Sequence, residues 1–275
     1  MELFTGIAWP LGVGAVFGYL SWRFSRWGGM DVVTIVYGIA SILGAAFVRG
    51  YSGFGFSLLA VTALSLRLPP AEIVPSIFLM EIAASIHMLP AIWREVHWRA
   101  IGVLLVGYTL AVPLGVWFLA TVPEAPMKVA LGICVLIATL LLMRGIVLKR
   151  MPGTAATLAA GGASGLLNGA FGTGGPPVIL FFFSSPAGVS IGRASIVAYF
   201  LATDTLGLAF LARQGLFTME SVLRFAIYLP ALVAGVWLGA HSFKRTDQET
   251  FRRWVLRLLA LLALLTVTQG LAELL

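Results

Sequence analysis

The sequence predicts an all-α polytopic membrane protein made of two inverted repeats. Each repeat carries a Gly-rich broken-helix or re-entrant element, and an extra N-terminal helix precedes them. Three observations carry this expectation. Of 275 residues, 60% are hydrophobic and only 11% are charged, whereas a soluble domain is about a quarter charged. A soluble chain of this composition would expose large apolar patches, and disorder needs the opposite balance. The apolar residues fall in runs near the ~20 residues that a helix needs to cross a bilayer. Finally, Gly50, Gly53 and Gly55 recur as Gly169, Gly172 and Gly174, each 119 positions later.

Taken in order, the first run is Leu3–Trp22, with Arg23, Arg26 and Asp31 after it. Residues 1–31 are therefore expected to form an accessory helix. The Glu2 start and the lack of a small-residue cleavage pattern speak against a secretory signal. Residues 32–150 form the first expected repeat and 151–275 the second. Val32–Leu66 and Met151–Gly192 are each too long for one helix. Both are interrupted, by Arg49-Gly-Tyr-Ser-Gly-Phe-Gly55 and by Asn168-Gly-Ala-Phe-Gly-Thr-Gly-Gly-Pro-Pro177. Such glycine and proline density does not continue a helix. Each stretch is thus expected to give two short helices meeting at a bend inside the membrane, where protein or a cavity must satisfy the freed backbone.

The remaining runs are Ala71–Trp93, Ala100–Pro123, Ala125–Met143, Ala194–Ala212, Phe225–Phe243 and Trp254–Ala272. The duplication continues through them: Arg94 recurs as Arg213, and Gly-Val-Trp at 115–117 recurs at 235–237. A period of this length exceeds any solenoid repeat and matches the two-repeat plan of secondary transporters.

The net charge of +7 comes from 18 Lys+Arg against 11 Asp+Glu. These basic residues sit in short loops, where they signal topology rather than nucleic-acid binding. With Arg94–Arg99 cytoplasmic, Arg144, Lys149 and Arg150 also fall inside. The Arg213–Glu220 loop then falls on the opposite face, which makes the repeats inverted. The expected location is the plasma (inner) membrane, multi-pass. Arg23 and Arg26 fit this scheme badly.

Two motifs resemble a known family. Gly169-Ala-Phe-Gly-Thr-Gly-Gly175 is similar to the glycine cluster of the TauE/SafE family, the sulfite-exporter-like anion permeases. Trp93-Arg-Glu-Val-His-Trp-Arg99 resembles that family's Arg-x-x-Val-Asp-Trp-Arg type of loop. The resemblance covers about residues 32–272, and Gly53-Phe-Gly-Phe56 departs from it by lacking the run of three glycines. It implies a permease for a small, often sulfur-containing, anion such as sulfite or an organosulfonate. The bilayer is the setting, and the further partners it allows are protons or another coupling ion and a second copy of the chain.

Among the residues themselves, Arg49 is the first candidate for substrate binding. An arginine at membrane depth costs about 2.5–3.5 kcal/mol on insertion scales and should face a cavity or a partner. Its planar fork suits a sulfite, sulfonate or carboxylate. Snorkelling to an interface, or pairing with Glu81, accounts for Arg49 equally well. Gly53, Gly172 and Gly174 contribute bend backbone N–H groups suited to an anion. Ser52, Asn168 and Thr173 offer neutral hydrogen bonds, with capping of the helix break as the competing role. Glu81 and Asp204 are candidates for ion coupling by proton loading, or for fixed countercharge. His87 and the lone Cys134 read as structural. Gly161-x3-Gly165-x3-Gly169 reads as a close helix interface.

No catalytic residue, cofactor or metal ligand set is expected. An intramembrane hydrolase would need a nucleophile–base pair or a metal motif, and only three histidines exist. An anion channel is the alternative function, with paired broken helices favouring alternating access.

Overall fold

Glycine sets the boundaries of the helices that matter most. The computed structural model describes residues 30–144, 152–184, 189–242 and 248–274. The expected helix over Leu3–Trp22 lies outside them. The described residues form ten α-helices and no strand: α1 Val32–Ser52, α2 Phe56–Leu64, α3 Pro70–Ile92, α4 Trp98–Thr121, α5 Glu124–Met143, α6 Thr154–Phe171, α7 Gly175–Ser184, α8 Val189–Arg213, α9 Met219–Ser242 and α10 Gln248–Leu274. A single 3₁₀ turn, Trp93–Glu95, separates α3 from α4. Seven of the helices are long and apolar enough to cross a membrane: α1, α3, α4, α5, α8, α9 and α10. Their outer faces are apolar, with Leu110 78% exposed and Val233 61%, as lipid contact requires.

Both long apolar stretches break where expected, but unevenly. α1 has 21 residues and α2 nine; α6 has 18 and α7 ten. At about 1.5 Å per residue, α1 is about 31 Å long, enough by length alone to cross the bilayer core. Only the second member of each pair is short. The apolar run measures where lipid begins, whereas the backbone ladder continues until a residue with left-handed φ closes it.

The helices pack in pairs that exchange partners between the halves. α1 lies on α9, α4 on α6, α3 on α8 and α5 on α10. The α4–α6 interface is the glycine stripe read from the sequence. A Cβ at Gly161 would sit 2.1 Å from the Leu104 carbonyl oxygen, one at Gly165 2.4 Å from that of Tyr108, and one at Gly169 2.6 Å from that of Val112. With no room for a side chain the backbones touch, which is how glycine drives helix association in lipid. The α1–α9 interface uses the same device, with Gly50 against Val236 and Gly239 against Phe47.

Direction follows from the same contacts. In α4–α6 and α1–α9 the numbers rise together, so these helices run parallel. In α5–α10, Gly132 faces Ala263 and Val267 while Gly270 faces Ala125, so the pair runs antiparallel. α3 and α8 are antiparallel too. Phe78 faces Gly207, whereas Glu95, just past the end of α3, accepts a hydrogen bond from Ser190.

The packing register also corrects one feature of the repeat. Gly115 sits between the Leu166 oxygen and the Ala170 nitrogen, and Gly239 sits between the Phe47 oxygen and the Tyr51 nitrogen. Phe47 and Tyr51 are 119 positions before Leu166 and Ala170. Gly115 therefore corresponds to Gly239, and the Gly-Val-Trp triplets are one helical turn out of register. A slip of four residues keeps the same helix face, so the sequence match survives while the contacts shift.

Two polar clusters complete the frame. Buried Lys128 on α5 pairs with Glu124 at 2.7 Å and with Glu273 of α10 at 2.8 Å. Buried Arg224 on α9 donates to the Glu72 carbonyl of α3 at 2.9 Å and pairs with its carboxylate.

Candidate functional site at the glycine bends

At the first bend, α1 ends because Gly53 adopts φ +83°, and its N–H closes on the Arg49 carbonyl at 2.6 Å. Gly55, at φ +89°, then starts α2. An L-residue rarely tolerates either conformation. Arg49 lies one turn before the bend and is completely buried. Its Nη1 forms an ion pair with Glu81 of α3, and its Nη2 donates to Ser85 Oγ at 2.8 Å. Glu81 in turn accepts from the Ser57 backbone N–H at 3.2 Å, so its carboxylate sits on the positive N-terminus of α2. Arg49 Nε, also buried, has no hydrogen-bond partner. The guanidinium carbon lies 5.8 Å from the centre of the Phe200 ring.

The second bend repeats the backbone and changes the side chains. Gly172, at φ +65°, closes α6 on the Asn168 carbonyl at 2.8 Å. Asn168 takes the place of Arg49. Its amide donates to Asp204 Oδ1 and to Tyr108 Oη, both at 3.0 Å, while its oxygen accepts from the Gly174 N–H at 3.0 Å. The Tyr108 hydroxyl donates to the Thr203 carbonyl at 2.7 Å. Gly174 is required by space: a Cβ there would meet Asn168 Cβ at 2.7 Å and the Ser164 oxygen at 2.8 Å. Thr173 is fully buried and its hydroxyl has no partner.

The repeat offset therefore holds in three dimensions. Arg49 bonds Ser85 and Asn168 bonds Asp204, and each residue of the second pair is 119 positions past its mate. The bends follow the same rule. The nearest atoms to a Cβ at Gly53 belong to Arg193, and those at Gly172 belong to Val74, 119 positions before Arg193.

Of the residues expected at the site, the structure pairs Arg49 with Glu81 and Asn168 with Asp204. The two pairs approach each other across α8, where the Phe200 ring beside Arg49 lies one helical turn before Asp204. Ser52 turns to the backbone instead, with its hydroxyl 2.8 Å from the Val48 and Phe54 carbonyls. His87 is exposed on α3. Sequence reasoning missed Ser85, Tyr108, Phe200 and Arg193. The offset alone could have found Ser85, as the mate of Asp204. Arg193 carries no such signal, because its mate is an ordinary valine.

A cavity of about 730 Å³ opens where α3 meets the Arg94–Arg99 connection, lined by Ile86, Leu89, Trp93, Arg94 and Leu201. Ile86 faces this opening while its neighbour Ser85 faces Arg49. Among the described residues no group of three His, Cys, Asp or Glu side chains could hold a metal ion.

The family model described as sulfite exporter TauE/SafE matches residues 36–266 of the chain. The chain is also 28% identical over 230 residues to a probable sulfite/organosulfonate exporter TauE from Cupriavidus necator, covering 81% of this chain and 90% of that protein. No solved structure matches it.

Proposed function

The chain belongs to the sulfite exporter TauE/SafE family, a family of transporters rather than enzymes, and from that premise we propose that it moves a small sulfur-containing anion, sulfite or an organosulfonate, across the plasma membrane by alternating access. The observation that carries the reading is Arg49. It is completely buried among the helices beside a glycine bend, its side chain ends in a forked cation, and its Nε is unsatisfied. A planar guanidinium matches the oxygens of such an anion two at a time. Glu81 holds Arg49 in place and competes with the anion for it. That competition keeps affinity modest, as transport needs. Ser52, Gly53, Asn168, Gly172, Thr173 and Gly174 are the bend groups around the route, and Asp204, with Glu81, is the proton-loading acid.

Two repeats, 32–150 and 151–275, supply the alternation. Their mates α3/α8 and α5/α10 pack antiparallel, which supports an inverted duplication and argues against one related by an axis along the membrane normal.

Flux into proteoliposomes tests the function, using a panel of sulfite, methanesulfonate, taurine, sulfate and acetate. Sulfite or a sulfonate should move faster than in protein-free vesicles, and a panel with no such anion overturns the reading. Cysteines at Arg94 and Gln214 in a Cys134-free background should label from opposite faces. Labelling from one face overturns the inversion.

A further inference from the structure

We infer that Arg193 is a second anion-binding residue, the one that captures the substrate at the face carrying the Arg94–Arg99 loop and passes it inward to Arg49. The inference rests on the anion reading above and names where the anion enters.

The geometry comes from the first bend. Arg193 lies on Gly53 so closely that a Cβ there would sit 2.7 Å from its Cγ and 2.8 Å from its Nε. Its Nη2 donates to the carbonyl of Gly50, the residue after Arg49, at 3.4 Å. That contact is long for a hydrogen bond. Arg193 is only partly buried, whereas Arg49 is completely so. Along α8, Arg193 precedes Phe200, the ring beside Arg49, by seven residues, or about 10 Å of helix. It therefore stands between Arg49 and the end of α8 where Ser190 meets Glu95 and where His97 N–H bonds Ser195 at 2.9 Å. That end is the face of the Arg94–Arg99 loop, cytoplasmic by its basic residues.

At the second bend Val74 covers Gly172 where Arg193 covers Gly53, and the buried cation near that end of α3, Arg224, is held by the carbonyl and carboxylate of Glu72. Two arginines in series on the intake side, and an apolar cover on the other, favour capture from the basic face and release from the opposite one.

Sulfite flux in proteoliposomes tests this with Arg193→Gln and Arg193→Lys. The KM for sulfite in Arg193→Gln should rise about tenfold, the scale of one charged hydrogen bond, with Vmax held within about threefold. Lysine should recover part of the loss, because it restores charge without the fork. If the glutamine variant does not fold, Arg193→Lys still carries the test through a smaller KM rise. In a Cys134-free Arg193→Cys protein, aminoethylation of the thiol should lower KM, and carboxymethylation should raise it further. An unchanged KM in the Arg193 variants overturns the inference, as does a fall in Vmax at constant KM. Absent sulfite flux by the wild type overturns the sulfite reading itself, before any variant is compared.

Discussion

The two glycine bends share a backbone and differ in charge, and the difference separates what the fold needs from what the function adds. Both helices α1 and α6 end on a left-handed glycine that closes on a carbonyl one turn back. Both bends bond to a partner on the third helix of their own half, Ser85 or Asp204. At the first bend the bonded side chain is an arginine, its partner is neutral, and Glu81 is added. At the second, the side chain is an amide and its partner is the acid. The Asn168 amide itself is satisfied, its nitrogen donating to Asp204 and Tyr108 and its oxygen accepting from Gly174. The network around Arg49 is left open at Nε. A satisfied amide fixes its bend, whereas a guanidinium with an open donor has capacity left for a ligand. The two bends thus share one backbone device, and under the proposed function the charged one is where the anion binds.

The largest expected effect is at Arg49. Arg49→Gln leaves Glu81 buried without its cation, which should destabilise the protein by about 3–5 kcal/mol and abolish sulfite flux. The double variant Arg49→Gln/Glu81→Gln should recover most of that stability, read as the melting temperature in detergent, and remain inactive. Recovery of flux in the double variant would break the comparison, since the first bend would then be structural like the second.

Next come the helix contacts that hold each bend in place. Gly165→Ala drives a methyl to within 2.4 Å of the Tyr108 oxygen and should cost about 1–3 kcal/mol. Gly239→Ala, at 2.1 Å from the Phe47 oxygen, should cost as much in the other half. Gly162→Ala is the control. Its nearest atom is 3.8 Å away, so alanine's better helix propensity should leave stability unchanged or up to about 1 kcal/mol higher. Equal costs at Gly165 and Gly162 would show that glycine acts there by flexibility rather than by close approach.

These glycines also mark how far the sequence could be read. The helices were legible because bilayer thickness fixes the length of an apolar run. The bends were legible because positive φ and close backbone approach both demand glycine, and the demand recurs after 119 residues. The pairing of Arg49 with Glu81 was one of the open readings, beside anion binding and snorkelling, and the structure contains that pair. The placement of Arg193 over Gly53 was not legible, since it depends on how α8 packs across the halves and its mate Val74 is an unremarkable core residue. The true lengths of α1 and α2 were hidden as well. Hydropathy is blind to the hydrogen bond that ends a helix.

At Asp204 the effect should fall on coupling more than on stability. Asp204→Asn keeps an oxygen to accept from Asn168, so the melting temperature should change by the equivalent of less than about 1 kcal/mol. Flux driven by a pH gradient should be lost while anion binding persists. Intact gradient-driven flux would make Asp204 a structural partner of Asn168, and the second bend would then have no part in coupling.

The smallest effects separate the two bend hydroxyls, and they sharpen the comparison most. Ser52 uses its hydroxyl on the Val48 and Phe54 carbonyls. Ser52→Ala should therefore cost about 1 kcal/mol of stability and leave the KM for sulfite unchanged. Thr173 has a hydroxyl that is fully buried and bonds to nothing. A buried orphan of this kind lowers stability, so Thr173→Val, which keeps the shape, should be neutral or stabilising by about 1 kcal/mol. If that hydroxyl meets the anion on its way out, the same variant should raise the KM for sulfite about fivefold, the equivalent of one neutral hydrogen bond. A gain in stability with a loss of affinity marks a group kept for its ligand rather than for the fold. A Thr173→Val protein that binds sulfite as wild type does would confine the ligand to the charged bend alone.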